Sequence, residues 1–160
     1  MGKLNWREKF VAFLLLLIGI MFLTSWILSI SSEIRKPAGP GMISLSTAEL
    51  MSHIRSITTI IISLAGGFLI FKKSTFGWIL SLSVVLLFTT IVTGILLAAV
   101  EAQTIDPPFI VGVAALAVLF TSLVFLNLKS TRVKFKTTSR SYLWAVVLFL
   151  ILAVMYFLLQ

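Results

Sequence analysis

The stretch Phe76–Val100, FGWILSLSVVLLFTTIVTGILLAAV, contains no charged residue. It is long enough to cross a bilayer, whose hydrocarbon core needs about 20 mainly apolar residues per helix. Four more runs, Phe10–Ile30, Ile57–Phe71, Phe109–Leu128 and Tyr142–Leu159, are equally free of charge. Backbone polar groups inside a bilayer must pair within their own segment, so runs of this kind are read as helices. Together they predict an all-α integral membrane protein, a five-helix transmembrane bundle with spans at about 10–30, 52–71, 76–100, 108–128 and 142–159. The remainder is one outer loop, 31–51, one basic inner loop, 129–141, and short turns, so residues 1–160 form a single transmembrane domain.

Composition agrees. Hydrophobic residues make up 59% of the chain and charged residues 11%, whereas soluble domains carry roughly a quarter charged residues. The first run follows Lys3, Arg7 and Lys9, as a signal peptide would, but it exceeds the roughly 7 to 15 residues of a signal core and reads as a retained anchor. Gly2 lacks the Ser or Thr at position 6 that myristoylation favours, since that position is Trp6.

Charge sets the orientation. With the N-terminus cytoplasmic and the C-terminus outside, the inner side receives Lys3, Arg7, Lys9, Lys72, Lys73, Lys129, Arg132, Lys134, Lys136 and Arg140, opposed by Glu8. The outer side receives Arg35, Lys36 and Arg55 against Glu33, Glu49, Glu101 and Asp106. Lys and Arg in short loops favour the cytoplasm, and this arrangement obeys that rule at every inner loop. Trp6, Trp78, Tyr142 and Trp144 then fall at the inner headgroup level and Trp26 and Tyr156 towards the outer one, as interfacial anchors do. The membrane expected is a plasma membrane or a bacterial inner membrane.

Local signals place the helix ends. Ser46 and Glu49 have capping-box spacing, which starts the second helix near Thr47. Lys72–Thr75 is too short for anything but an antiparallel connection. Asp106-Pro107-Pro108 starts the fourth span, because proline tolerates a first helical turn. The segment Arg132-Val133-Lys134-Phe135-Lys136 alternates basic and apolar residues and should rest on anionic headgroups. Lys73-Ser74-Thr75 and Lys129-Ser130-Thr131, each preceded by Phe-Leu and followed by a Trp-bearing run, suggest one helix followed by two similar helical hairpins.

The chemistry available inside the membrane is sparse. Intramembrane ionisable groups usually mark ion paths, proton relays or catalytic sites, and the runs contain none. The chain has no cysteine, which excludes disulfides, thiolate metal sites and cysteine nucleophiles. Phosphate loops, zinc-protease helices and nucleophile elbows are absent. No catalytic, cofactor or metal residue is assigned, and no nucleic acid is expected as a partner.

Two small-residue faces remain: Ser52, Ser56, Thr59, Ser63, Gly66 and Gly67 on the second helix, and Ser83, Thr90, Gly94 and Ala98 on the third. Small residues let membrane helices approach closely, so these faces are expected to pack against each other or to meet a partner. The first and fifth spans, almost entirely large and apolar, suit the outside of the bundle or a larger partner. Lys129, Arg132, Lys134, Lys136 and Arg140 are expected to contact anionic lipid.

Glu49 and His53 lie one helical turn apart and form a minor outer polar site, which Glu33, Glu101 or Asp106 would have to complete if it held a metal. The leading expectation is a non-enzymatic accessory or assembly subunit of a larger membrane complex, partnered by other membrane subunits or by itself. The alternative is a small homo-oligomeric carrier or channel for a neutral or lipophilic solute, lined by the Ser/Thr/Gly faces of helices two and three. A lipid-modifying enzyme built on Glu49 and His53 is a third reading.

Overall fold

The computed structural model describes residues 4–34, 47–103 and 107–157, and these are almost entirely helical. Six helices follow one another: α1 (Trp6–Ile34), α2 (Thr47–Phe71), α3 (Thr75–Glu101), α4 (Pro107–Asn127), α5 (Lys129–Lys134) and α6 (Ser139–Phe157). All but α5 are long and apolar enough to cross a membrane. The chain is therefore a helical integral membrane protein.

The helix boundaries have local causes. At the start of α1 the Asn5 backbone N–H donates to Glu8 Oε2 at 2.8 Å, the return half of a capping box. The α2 start at Thr47 is where the spacing puts it; the expected cap Ser46 lies outside the described residues, as does Asp106 before α4. Ser74 caps α3, its hydroxyl accepting from Phe76 N–H.

α2 ends in a Schellman turn, with Lys73 N–H bonded to Ile70 O, Ser74 N–H to Leu69 O, and Lys73 at φ 54°. α5 ends the same way, through Lys136 N–H to Val133 O and Thr137 N–H to Arg132 O, with Lys136 at φ 51°. In both turns a lysine occupies the left-handed position that glycine usually fills.

The stretch 129–134, expected as loop, is a turn and a half of helix. Lys129-Ser130-Thr131 therefore opens α5, whereas Lys73-Ser74-Thr75 forms a turn and a cap. The sequence likeness does not extend to local conformation.

α3 is the central helix and packs against α2, α4 and α6, while α1 makes its most extensive contact with α2 and a lesser one with α4. Val11, Ala12 and Leu15 of α1 are fully buried with Ile70, Trp78, Val85 and Leu126. One face of α1 thus joins the core, while Phe13, Leu17, Ile20, Met21 and Leu28 keep its other face exposed on the outside of the bundle. Its apolar residues pack on a glycine-bearing helix as readily as on lipid.

Gly67 of α2 accounts for this. A Cβ there would lie 2.9 Å from Ala12 O, so the two backbones approach as only glycine allows. Gly66 faces the other way, towards Leu80 and Ser81 of α3. Adjacent glycines thus serve two neighbours, and α2 remains one unbroken helix.

Trp78, expected as an interfacial anchor, is fully buried instead. Its indole N–H donates to Leu126 O at 2.9 Å, satisfying a carbonyl in the last turn of α4, and its ring meets Tyr142 edge-on at 4.8 Å. Trp6 and Trp144 do face outwards.

Candidate functional site: a basic pocket at the ends of the helices

Several contacts tie the start of α1, the α2–α3 turn, the end of α4, α5 and the start of α6 into one end of the bundle. Lys134 Nζ straddles the Glu8 carboxylate, 2.7 Å from Oε1 and 2.8 Å from Oε2. Thr75 Oγ1 donates to Phe135 O at 2.7 Å, and Phe135 is fully buried. Tyr142 OH donates to Asn127 Oδ1 at 2.9 Å. Arg7 stands over the Phe125 ring, and Lys72 over that of Phe68. Of these links the Lys134–Glu8 pair and the Thr75–Phe135 bond, with buried Phe135, fasten α5 and its C-cap to the bundle.

Between α5 and the first turn of α6 lies an open cavity of about 410 Å³. Its wall includes Lys129, Arg132 and Lys136, the hydroxyl residues Thr137, Thr138 and Ser139, and the side of Tyr142. Among the described residues no carboxylate lines it. The α6 end is shaped by a local cap, in which Thr138 N–H donates to Ser141 Oγ at 3.2 Å. The first N–H groups of a helix have no intrahelical acceptor and carry the positive end of its dipole, which adds to the three cations.

Of the five residues expected to touch anionic lipid, the cavity brings together Lys129, Arg132 and Lys136. Lys134 turns inward to Glu8, and Arg140 lies exposed on α6 without lining the cavity. Alternation along 132–136 misleads here because helical spacing, not strand spacing, sorts these side chains: Val133 is 70% exposed and Phe135 1%. The sequence reading overlooked Thr137, Ser139 and Tyr142 as lining residues, and Glu8 as the partner of Lys134. The polar run Thr137–Ser141 with its capping spacing was the available signal for the first group. For the second, Glu8 stands out only as a lone acid among basic residues.

The expected packing residues divide. Ser63, Gly66 and Gly67 are buried within the bundle. Thr59 is buried too, its hydroxyl donating to Arg55 O and lying 3.0 Å from Tyr156 OH; Ser56 is half-buried. Ser63 Oγ is fully buried and has no hydrogen-bond partner among the described residues.

On α3 the small face splits. Ser83 is buried and donates to both Ile79 O and Ala145 O. Thr90, Gly94 and Ala98 are exposed, and nothing lies within 4 Å of a Cβ built on Gly94. These three do not pack against α2. α2 divides its contacts between α1 and α3, and on the far half of α3 the side bearing Leu96 is buried while that bearing Thr90, Gly94 and Ala98 stays open.

At that opposite end His53 Nδ1 accepts the Trp26 indole N–H at 3.2 Å. Glu49 is exposed on the same helix. Among the described residues no three His, Asp or Glu side chains come together; Asp106 and the side chain of Glu33 lie outside them.

Two open grooves flank α3, one of about 440 Å³ against α1 and α4 and one of about 490 Å³ against α2 and α6. Both are lined by apolar side chains such as Leu14, Phe22, Phe88, Ile62 and Ile79. Comparison with family models, curated proteins and solved structures gives no match for this chain.

Proposed function

We propose that this chain is a non-enzymatic multi-pass membrane protein that works by packing, as an accessory or assembly subunit of a larger membrane complex. In this reading the N-terminus and the basic end lie in the cytoplasm and the C-terminus outside, in a plasma membrane or a bacterial inner membrane. The spans are one helix, α1, followed by two hairpins, α2–α3 and α4–α6, both closed at the basic end. The distribution of Lys and Arg supports that orientation.

The observation that carries the proposal is the open small-residue face Thr90-Gly94-Ala98 on the far half of α3. A bilayer gives no advantage to exposed small residues, whereas a second transmembrane helix gains close backbone contact from them. Along α3 the hydroxyl protons of Thr75, Ser81, Ser83, Thr89, Thr90 and Thr93 all go to backbone carbonyls, so a solute on that helix would meet acceptor lone pairs alone.

A single cysteine tests the docking face, since the chain has none of its own. Gly94→Cys, labelled in the native membrane with a reagent that is thiol-reactive at one end and photoreactive towards C–H bonds at the other, should give a discrete heavier adduct on illumination. Leu28→Cys, on an exposed part of α1, should give none. No adduct at Gly94→Cys, or the same pattern from both positions, contradicts the proposal.

A further inference from the structure

We infer that the basic cavity between α5 and α6 is a binding site for a phosphomonoester, presented by a lipid of the surrounding leaflet. The inference rests on the membrane reading above and adds a discrete ligand to it. General adsorption to anionic headgroups needs only scattered surface lysines, each contributing about a fivefold gain. The arrangement here is more specific.

Lys129, Arg132 and Lys136 line one cavity from the start of a single short helix, its last turn and the residue just past its C-cap. That helix is held in place by the fully buried Phe135, the Thr75–Phe135 hydrogen bond and the Lys134–Glu8 pair. No described carboxylate neutralises the three cations. Glu8, the acid at this end, is taken by Lys134.

Three cations around one concavity match a doubly charged phosphate better than a singly charged phosphodiester. The guanidinium of Arg132 suits two phosphate oxygens at once. Ser139 brings a hydroxyl that can donate to a further oxygen, while the Thr137 hydroxyl lies 3.4 Å from Arg132 O and would have to turn from it to do the same. A volume of about 410 Å³ falls within the range of small-ligand pockets, about 300 to 1,000 Å³, and exceeds what a bare ion requires. Val133, exposed and part of the same wall, and Tyr142 give the rim an apolar side on which the first carbons of a lipid can lie. A soluble phosphate would gain nothing from that side, so the lipid is the source assigned.

The experiment uses the full chain in nanodiscs of neutral phosphatidylcholine doped with equal small amounts of phosphatidic acid, a phosphomonoester lipid, and phosphatidylglycerol, a phosphodiester one. Lipid retained after release is counted by native mass spectrometry. The expected result is retention of phosphatidic acid over phosphatidylglycerol by about tenfold, with Arg132→Gln lowering that preference by about as much. Lys72→Gln, a cation at the same end but outside the cavity, should leave it unchanged.

Equal retention of the two lipids, no retained lipid, or equal losses from Arg132→Gln and Lys72→Gln overturns the site. Full displacement of the retained lipid by millimolar inorganic phosphate overturns the lipid as the source. Failure of the chain to co-elute with the discs overturns the membrane reading itself and the site with it, which is distinct from insertion without selective retention.

Discussion

Replacing Lys134 by methionine should destabilise the bundle far more than loss of a surface charge would. The Glu8 side chain is 2% exposed and both its oxygens lie within 2.8 Å of the lysine nitrogen, which is itself on a 19% exposed side chain. Removing one member of a buried ion pair costs about 3–5 kcal/mol because the other charge remains desolvated and unmatched. Partial exposure of Lys134 points to the lower end, about 3 kcal/mol, where an exposed pair would cost about 0–1 kcal/mol. The effect is conditional on Glu8. In the double variant with Glu8→Gln no charge is stranded, and the glutamine still accepts the Asn5 N–H as a capping-box partner.

The double variant should therefore recover about 2 kcal/mol relative to Lys134→Met, a coupling typical of directly contacting groups. Reversible unfolding of the purified chain by sodium dodecyl sulfate in mixed micelles, followed by helical circular dichroism, gives these differences. A cost below about 0.5 kcal/mol for Lys134→Met, or a double variant no more stable than the single one, would refute a buried clasp at this end.

Other substitutions probe the interior and the orientation. Ser63→Ala should be neutral or stabilise by about 1 kcal/mol in the same unfolding assay, since it removes a buried hydroxyl that lacks a described partner. Gly77→Ala should cost about 1–3 kcal/mol, because the new Cβ would meet Leu69 backbone at 2.6 Å, whereas Gly94→Ala, which meets nothing, should not destabilise the isolated chain. Ser83→Ala loses the hydroxyl bond to Ala145 O and should cost about 0.6 kcal/mol, the average for hydrogen bonds between membrane helices. For orientation, a membrane-impermeant maleimide should label Gln103→Cys in intact cells and Lys72→Cys only after permeabilisation; the reverse pattern would invert the protein.

The spans were legible because charge exclusion is a global signal: a bilayer tolerates no substitute for a long uncharged run, so each of the five appears in the sequence. Within the described residues α2 and α4 begin at Thr47 and Pro107, near the positions that the Ser46–Glu49 spacing and Pro107-Pro108 predict, while the caps Ser46 and Asp106 themselves lie outside the described residues. What packs against what was not. Within a bilayer an apolar residue can meet lipid or another helix at similar cost, so nothing in the sequence told the buried Val11 from the exposed Phe13, or Trp78 in the core from Trp144 at the rim. Gly66 and Gly67 were visible as contact points, but that they face different neighbours depends on how α1 lies across α2. The basic cavity was half legible. Its cations stood out as a run, while their convergence required α5 to be helical, and a six-residue helix has too little periodicity to be read.

Under the proposed function this chain occupies the membrane as one part of a larger assembly. The most direct measurement is its native mass after extraction from its own membrane, at natural abundance, in polymer-bounded lipid discs. The expected particle contains this chain with at least one further transmembrane polypeptide in fixed ratio, and Gly94→Leu loses that partner with the chain still folded. A chain recovered only as a monomer, with Gly94→Leu indistinguishable from the parent, would contradict it.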